Sequence, residues 1–334
     1  MTEPFAGRVN TRPDWLKQSI RGKNGGSPME DAQRYLDPLA LAKVRGLEMQ
    51  ARLIVEGYLS GMHKSPYHGF SVEFAQHREY VPGDDLKHLD WKVYSRTGRF
   101  YLKQYDEETN LNCWLLVDAS ESMRYGSGAI NLDGTPVISK YDYACMAAAA
   151  LAYLILGQQD AAGLVTFDNS IRQFLRPSTQ ASHLKQIVNL LNKGAGREKT
   201  DLGPIFHDLA ERITRRGIIV VLSDFFDEPD NILTGLKHLR HRRQEVIVFH
   251  VLDRAEVEFP FQEATLFRGM EQMPELLTDP RTLRDGYLEQ LDAHIDELRR
   301  GCLNQNIDYI QLRTDSSLGQ ALSAYLAHRL ARTR

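Results

Sequence analysis

Four short stretches of this chain, Leu111–Val117, Ala161–Phe167, Gly217–Leu222 and Glu245–Leu252, are apolar almost without interruption. A strand wet on one face alternates polar and apolar residues, whereas a strand apolar throughout is buried on both faces. Helical patterns separate these runs, at Lys140–Gly157, Ala181–Asn192, Leu202–Arg215 and Ile232–Arg242. Two more helices, Thr282–Asn304 and Leu318–Arg332, flank a strand at Ile307–Leu312, and Ile171–Leu175 reads as a further strand. Buried strands alternating with helices predict an α/β fold, a doubly wound and mainly parallel sheet with helices on both faces.

The rest of the chain divides around that core. Residues 1–35 are rich in Gly, Pro, Arg and Lys, including GKNGGSP at Gly22–Pro28, and read as a mobile tail. Residues 36–109 read as an N-terminal helix and β extension. Its helix opens at Asp37-Pro38, an acidic cap ahead of a first-turn proline, and two strands follow, at Phe70–Tyr80 and Arg99–Asp106. A turn at Val81-Pro82-Gly83-Asp84-Asp85 separates them. Residues 110–334 hold the α/β domain with its C-terminal helices. The mixed charges around Trp91 and Tyr80 read as a salt-bridged turn packing those rings on the core, and Tyr125–Ser139 as a surface insertion beside the first strand.

Charge and cysteine usage narrow the function classes. With 41 Lys and Arg against 44 Asp and Glu, the chain lacks the basic balance of a general nucleic-acid binder, so no nucleic-acid partner is expected. The LRHRRQ stretch, with His238 and His241, reads as a solvated helix face. Three widely spaced cysteines, Cys113, Cys145 and Cys302, exclude a disulfide framework and fit a reducing cytoplasm. Residues 1–10 lack the apolar core of a signal peptide, and the longest apolar run, around Cys145–Leu156, is too short to span a bilayer. A cytoplasmic location is therefore the expectation.

In open α/β sheets, sites form outside the carboxyl ends of the strands. Three loops there carry hard oxygen donors: Asp118-Ala119-Ser120-Glu121-Ser122, Lys199-Thr200-Asp201 and Ser223-Asp224. Asp118, Ser120, Ser122, Thr200 and Asp224 together supply two carboxylates and three hydroxyls. That is chemistry for a hard divalent ion, Mg²⁺ or alternatively Mn²⁺ or Ca²⁺, with a coordination position left for water or a partner's carboxylate. Each piece alone has an ordinary explanation, since Asp and Ser populate turns and Thr200 would serve as a helix cap. Their recurrence at three sheet-end loops is what points to a metal.

DASES, KTDLGPIF and LSDFFDEP resemble the metal-ion-dependent adhesion site of von Willebrand factor A-type domains. The resemblance makes Asp118, Ser120 and Ser122 first-loop ligands, Thr200 the second-loop ligand, and Asp224 the third-loop group, often bonded through water. It implies a metal that accepts an acidic residue from a partner protein. A longer segment, GFSVEFAQHREYVPGDDLKHLDWKVYSRTGRFYLKQYDEET at Gly69–Thr109, is similar to the signature of the bacterial DUF58 family. That family places the segment before a von Willebrand A-like core, and its genes typically neighbour those of MoxR-type AAA+ ATPases. The resemblance implies an adaptor or co-chaperone working with such an ATPase, not an enzyme. The competing reading is a metal-dependent phosphatase or hydrolase using Asp118. Against it, the position two residues after Asp118 is Ser120, where an aspartyl-phosphate enzyme often has a second Asp, and the chain carries no G-x-S-x-G, H-E-x-x-H or P-loop motif.

Overall fold

The computed structural model describes residues 38, 41, 46–62, 74–79, 91–105, 111–127, 138–196, 198, 200–241, 244–267, 269–270 and 275–332. The proposed tail, the PGDD turn, Lys199 and positions 128–137 of the Tyr125–Ser139 insertion lie outside the described residues.

The chain divides into two units, residues 1–27 with 64–109, and residues 28–63 with 110–334. In the smaller unit, strand β1 (Phe74–Glu79) pairs antiparallel with β2 (Tyr101–Tyr105). Trp91 lies in a short helix, α2 (Trp91–Thr97), rather than in the turn expected from the mixed charges. Nothing in WKVYSRT breaks a helix. Gly98, at φ 66°, follows directly and stops it in the left-handed conformation glycine tolerates.

The larger unit includes helix α1 (Leu47–Met62). Its six-stranded sheet uses β3 (Asn112–Asp118), β4 (Ala161–Phe167), β5 (Ile171–Ser178), β6 (Gly217–Ser223), β7 (Glu245–Leu252) and β10 (Asp308–Arg313). The order is β10-β7-β6-β3-β4-β5. All neighbours are parallel except β5, which returns antiparallel on β4 after a short loop. A short apolar run gives no direction, but the few residues between Phe167 and Ile171 leave no room for a crossover helix.

Side-chain alternation along each strand divides the core into two layers. Cys113, Leu115, Val117, Ile218, Val220 and Leu222 pack with α1 and with α3 (Lys140–Gly157). Trp114, Leu116, Ile219, Val221, Val246 and Val248 face the other way. They meet α5 (Leu202–Arg212) and α6 (Pro229–His241), together with Leu298 and Cys302 of α8 (Pro280–Asn304). Burial of both faces is what the uninterrupted apolar runs required, and the fold is the doubly wound, mainly parallel α/β arrangement the sequence predicts. Helices α5 and α6 cross closely at Gly235, where a Cβ would stand 2.9 Å from Phe206 Cβ.

The chain between Leu252 and Pro280, which the sequence leaves irregular, contains α7 (Arg254–Glu258) and a small hairpin of β8 (Thr265–Phe267) with β9 (Leu276–Thr278). Helix α4 (His183–Leu191) follows β5, and α9 (Gly319–Arg332) follows β10. Among the described residues no helix is long and apolar enough to cross a membrane.

Candidate metal centre

Parallel order points the carboxyl ends of β3, β6 and β7 the same way, so the loops after Asp118, Ser223 and Leu252 gather at one end of the sheet. The loop before α5 joins them through backbone bonds. Gly196 N–H donates to Ala119 O at 2.5 Å, and Glu121 N–H donates to Glu198 O at 3.2 Å. Asp227, in the third loop, accepts the Leu202 N–H at 3.0 Å. It thereby serves a donor at the start of α5 that the capping residue, Asp201, leaves without a side-chain bond.

Asp118 is the centre of the cluster and is almost fully buried. Its Oδ1 accepts the Ser120 N–H at 2.9 Å and the Thr200 hydroxyl at 3.3 Å. Its Oδ2 accepts the Ser223 hydroxyl at 2.5 Å. Ser120 Oγ lies 3.0 Å from Ser122 Oγ. Thus Thr200 turns its hydroxyl to Asp118 and is not the helix cap, and Asp118, Ser120, Ser122 and Thr200 form one connected set of oxygens. Asp224 sits beside them, buried, with its Oδ2 accepting the Lys140 ammonium at 2.7 Å. The backbone turns sharply just after it, at Phe225, whose φ of 51° is left-handed. Left-handed backbone at a bulky residue costs energy and persists where surrounding structure imposes it.

Burial pushes the Asp118 carboxyl up to about 7, and the neighbouring Asp224 adds to the shift. The Ser223 hydroxyl and the Ser120 N–H and hydroxyl oppose it without cancelling it. Lys140 behaves in the opposite sense. Burial alone would strip its proton, but Asp224 and then Glu256 outweigh burial and hold it above the usual ammonium range. Glu256 is raised by burial, and Lys140 offsets part of that.

These residues fit a hard divalent ion on two counts. Asp224 and Glu256 share the Lys140 ammonium, and the buried Asp118 beside them is bonded by hydroxyls and a backbone N–H alone, so the donor set is short of positive charge. The Ser120–Ser122 oxygen separation also matches the edge of an octahedron, which is about 3.0 Å for metal–oxygen bonds of about 2.1 Å. Among the described residues no group of three or more His, Cys, Asp and Glu is placed to hold a metal. Hydroxyls make up the majority of this set.

Sequence reasoning missed two members of the neighbourhood and undervalued a third. Lys140 reads as the first residue of an apolar helix, and nothing local announces that it is buried. Glu256 lies where the sequence shows no regular pattern. Ser223 was visible at the strand end, but its bond to Asp118 of a neighbouring strand was not.

One family model spans most of the chain. The model of the family described as protein of unknown function DUF58 matches residues 76–297. The chain belongs to the DUF58 family. Its relatives include uncharacterized protein Rv1480 of Mycobacterium tuberculosis and uncharacterized protein Mb1516 of Mycobacterium bovis. Each is 30% identical over 285 residues, covering 84% of this chain and 86% of the relative. Similar solved structures include BatB from Bacteroides thetaiotaomicron, at 14% identity, 66% and 99% coverage of the two chains and a TM-score of 0.41. The SpRpn10 VWA domain is also similar, at 15% identity, 64% and 94% coverage and a TM-score of 0.34.

Proposed function

We propose that this DUF58 protein is a protein-interaction module whose sheet-end site holds a divalent cation, Mg²⁺ or a substitute such as Mn²⁺ or Ca²⁺, and offers it to an acidic side chain of a partner. The observation that carries this reading is the convergence of Asp118, Ser120, Ser122 and Thr200 into one hydrogen-bonded oxygen cluster beside Asp224. Asp118, Ser120, Ser122 and Thr200 are the residues that would hold the ion, with Asp224 the third-loop group. When bound, the ion supplies a Lewis-acidic position for an incoming carboxylate. The chain's own part is to keep the oxygens in place. Asp118 is positioned by Ser223, the two serines share one tight turn, and backbone bonds fasten the second loop to the first.

The partner we favour is a MoxR-type AAA+ ATPase, acting with a further client, in a cytoplasmic setting. The resemblance at Gly69–Thr109 supports it. Co-purification with the MoxR-type ATPase, in Mg²⁺ and in EDTA, tests the reading. Association lost in EDTA and lost with Asp118→Ala is the expected result. Chelator-insensitive association would detach the partner from the site, and phosphate-ester turnover abolished by Asp118→Ala would favour the hydrolase instead.

A further inference from the structure

Lys140 opens the most apolar helix of the larger unit, yet it is a charged residue with no exposed surface. Its ammonium is engaged on several sides. It donates to Asp224 Oδ2 at 2.7 Å and to Glu256 Oε1 at 2.6 Å, and the Phe226 ring centroid lies 4.7 Å away. Glu256 is held in turn, since its Oε2 accepts the Asp253 N–H at 2.7 Å. Helix α3 does not need Lys140 in order to start, because Ser139 and Asp142 form a complete capping box. An ion pair this deep is seldom more stabilising than an apolar packing of the same volume. The placement of Lys140 therefore calls for a reason in the site.

We propose that Lys140 is a tethered counter-ion that sets how strongly the third loop draws a divalent cation, with Glu256 dividing its charge. The proposal rests on the metal reading given above. Lys140 pins one oxygen of Asp224 and cancels part of its charge. Asp224 then contributes less to the ion, and more of the ion's charge is left for a partner's carboxylate. Glu256 competes for the same ammonium. Removing Glu256's charge commits Lys140 to Asp224, whereas removing Lys140 frees Asp224 altogether. The two changes should shift cation affinity in opposite directions, which damage to the fold would not do.

The test is a titration of the full chain with Mn²⁺ alone, read by electron paramagnetic resonance, at fixed pH. Lys140→Met should bind Mn²⁺ about tenfold more tightly than wild type, and Glu256→Gln about tenfold more weakly, the scale on which one neighbouring charge acts in a partly buried site. Lys140→Arg keeps the charge and should stay within about threefold of wild type on the same grounds. If Lys140→Met does not fold, Glu256→Gln carries the test, because wild-type affinity in that variant contradicts the proposal. Wild-type binding with both charge-removing variants unmoved, or both weakened, overturns the role of Lys140 and leaves the metal site standing. A wild-type chain that binds no Mn²⁺ overturns both.

Discussion

Replacing Asp118 with Asn should stabilise the metal-free protein. Asp118 sits almost fully buried beside Asp224, and its carboxyl is pushed from near 3.8 to about 7. A carboxyl raised in the folded state adds stability only while it stays protonated. Its contribution is intact below about pH 4 and is lost as pH rises through 7. At roughly 1.4 kcal/mol per tenfold shift, the full loss is on the order of 4 kcal/mol. Asp118→Asn is nearly isosteric and carries no charge. The hydroxyls of Ser223 and Thr200 can rotate to meet its amide, so most of the hydrogen bonds survive. Urea unfolding in EDTA should show the variant about 2–4 kcal/mol more stable than wild type at pH 8, with little difference at pH 4. Added Mg²⁺ should stabilise wild type and leave the variant unchanged. A variant equal to or less stable than wild type at pH 8 in EDTA would refute the claim that Asp118 is an uncompensated buried charge.

Other regions make separate predictions. His250 is fully buried, and burial lowers it to about 3, so its neutral form is the folded one. Because the unfolded chain binds the proton first, this one group subtracts up to about 5 kcal/mol of stability as pH falls from about 6.5 to 3, against the gain from Asp118 over part of that range, so in pH-dependent urea unfolding wild type should fall behind His250→Phe by up to that amount toward low pH. Gly235→Val should cost about 1–3 kcal/mol by the same assay, because a Cβ there meets Phe206 at 2.9 Å where α5 and α6 cross. The Asp253 carboxylate accepts from Ser127, from the Thr314 hydroxyl at 2.8 Å and from Ala255 N–H at 2.9 Å. Asp253→Ala should therefore lower the melting temperature by an amount equivalent to about 2–4 kcal/mol, without altering the far-UV circular dichroism of the folded state.

The sheet was legible because burial on both faces forces a composition that few other elements share. Gly217–Leu222 and Glu245–Leu252 both became strands, and both lie inside the sheet. Direction was less legible. Ile171–Leu175 reads like any other strand, and only the short connection to Phe167 makes it antiparallel. The five oxygen-bearing residues were legible at the loops because hard-oxygen side chains seldom cluster at three strand ends. What the sequence could not show was charge pairing across long separations. Lys140 meets Asp224 across 84 positions and Glu256 across 116, and a lysine at a helix start usually lies in water. The helix at Trp91–Thr97 was not legible because mixed charges suit a turn as well as a short helix, and only Gly98 marks its end.

The central claim is that the sheet end binds one divalent ion through its hydroxyl and carboxylate oxygens. Anomalous scattering from crystals grown with Mn²⁺ tests it most directly. A single strong peak is expected within about 2.6 Å of oxygens from Asp118, Ser120 and Ser122, and no such peak in Asp118→Ala crystals. A wild-type map with no peak at that end of the sheet, or with its only peak elsewhere, would contradict it.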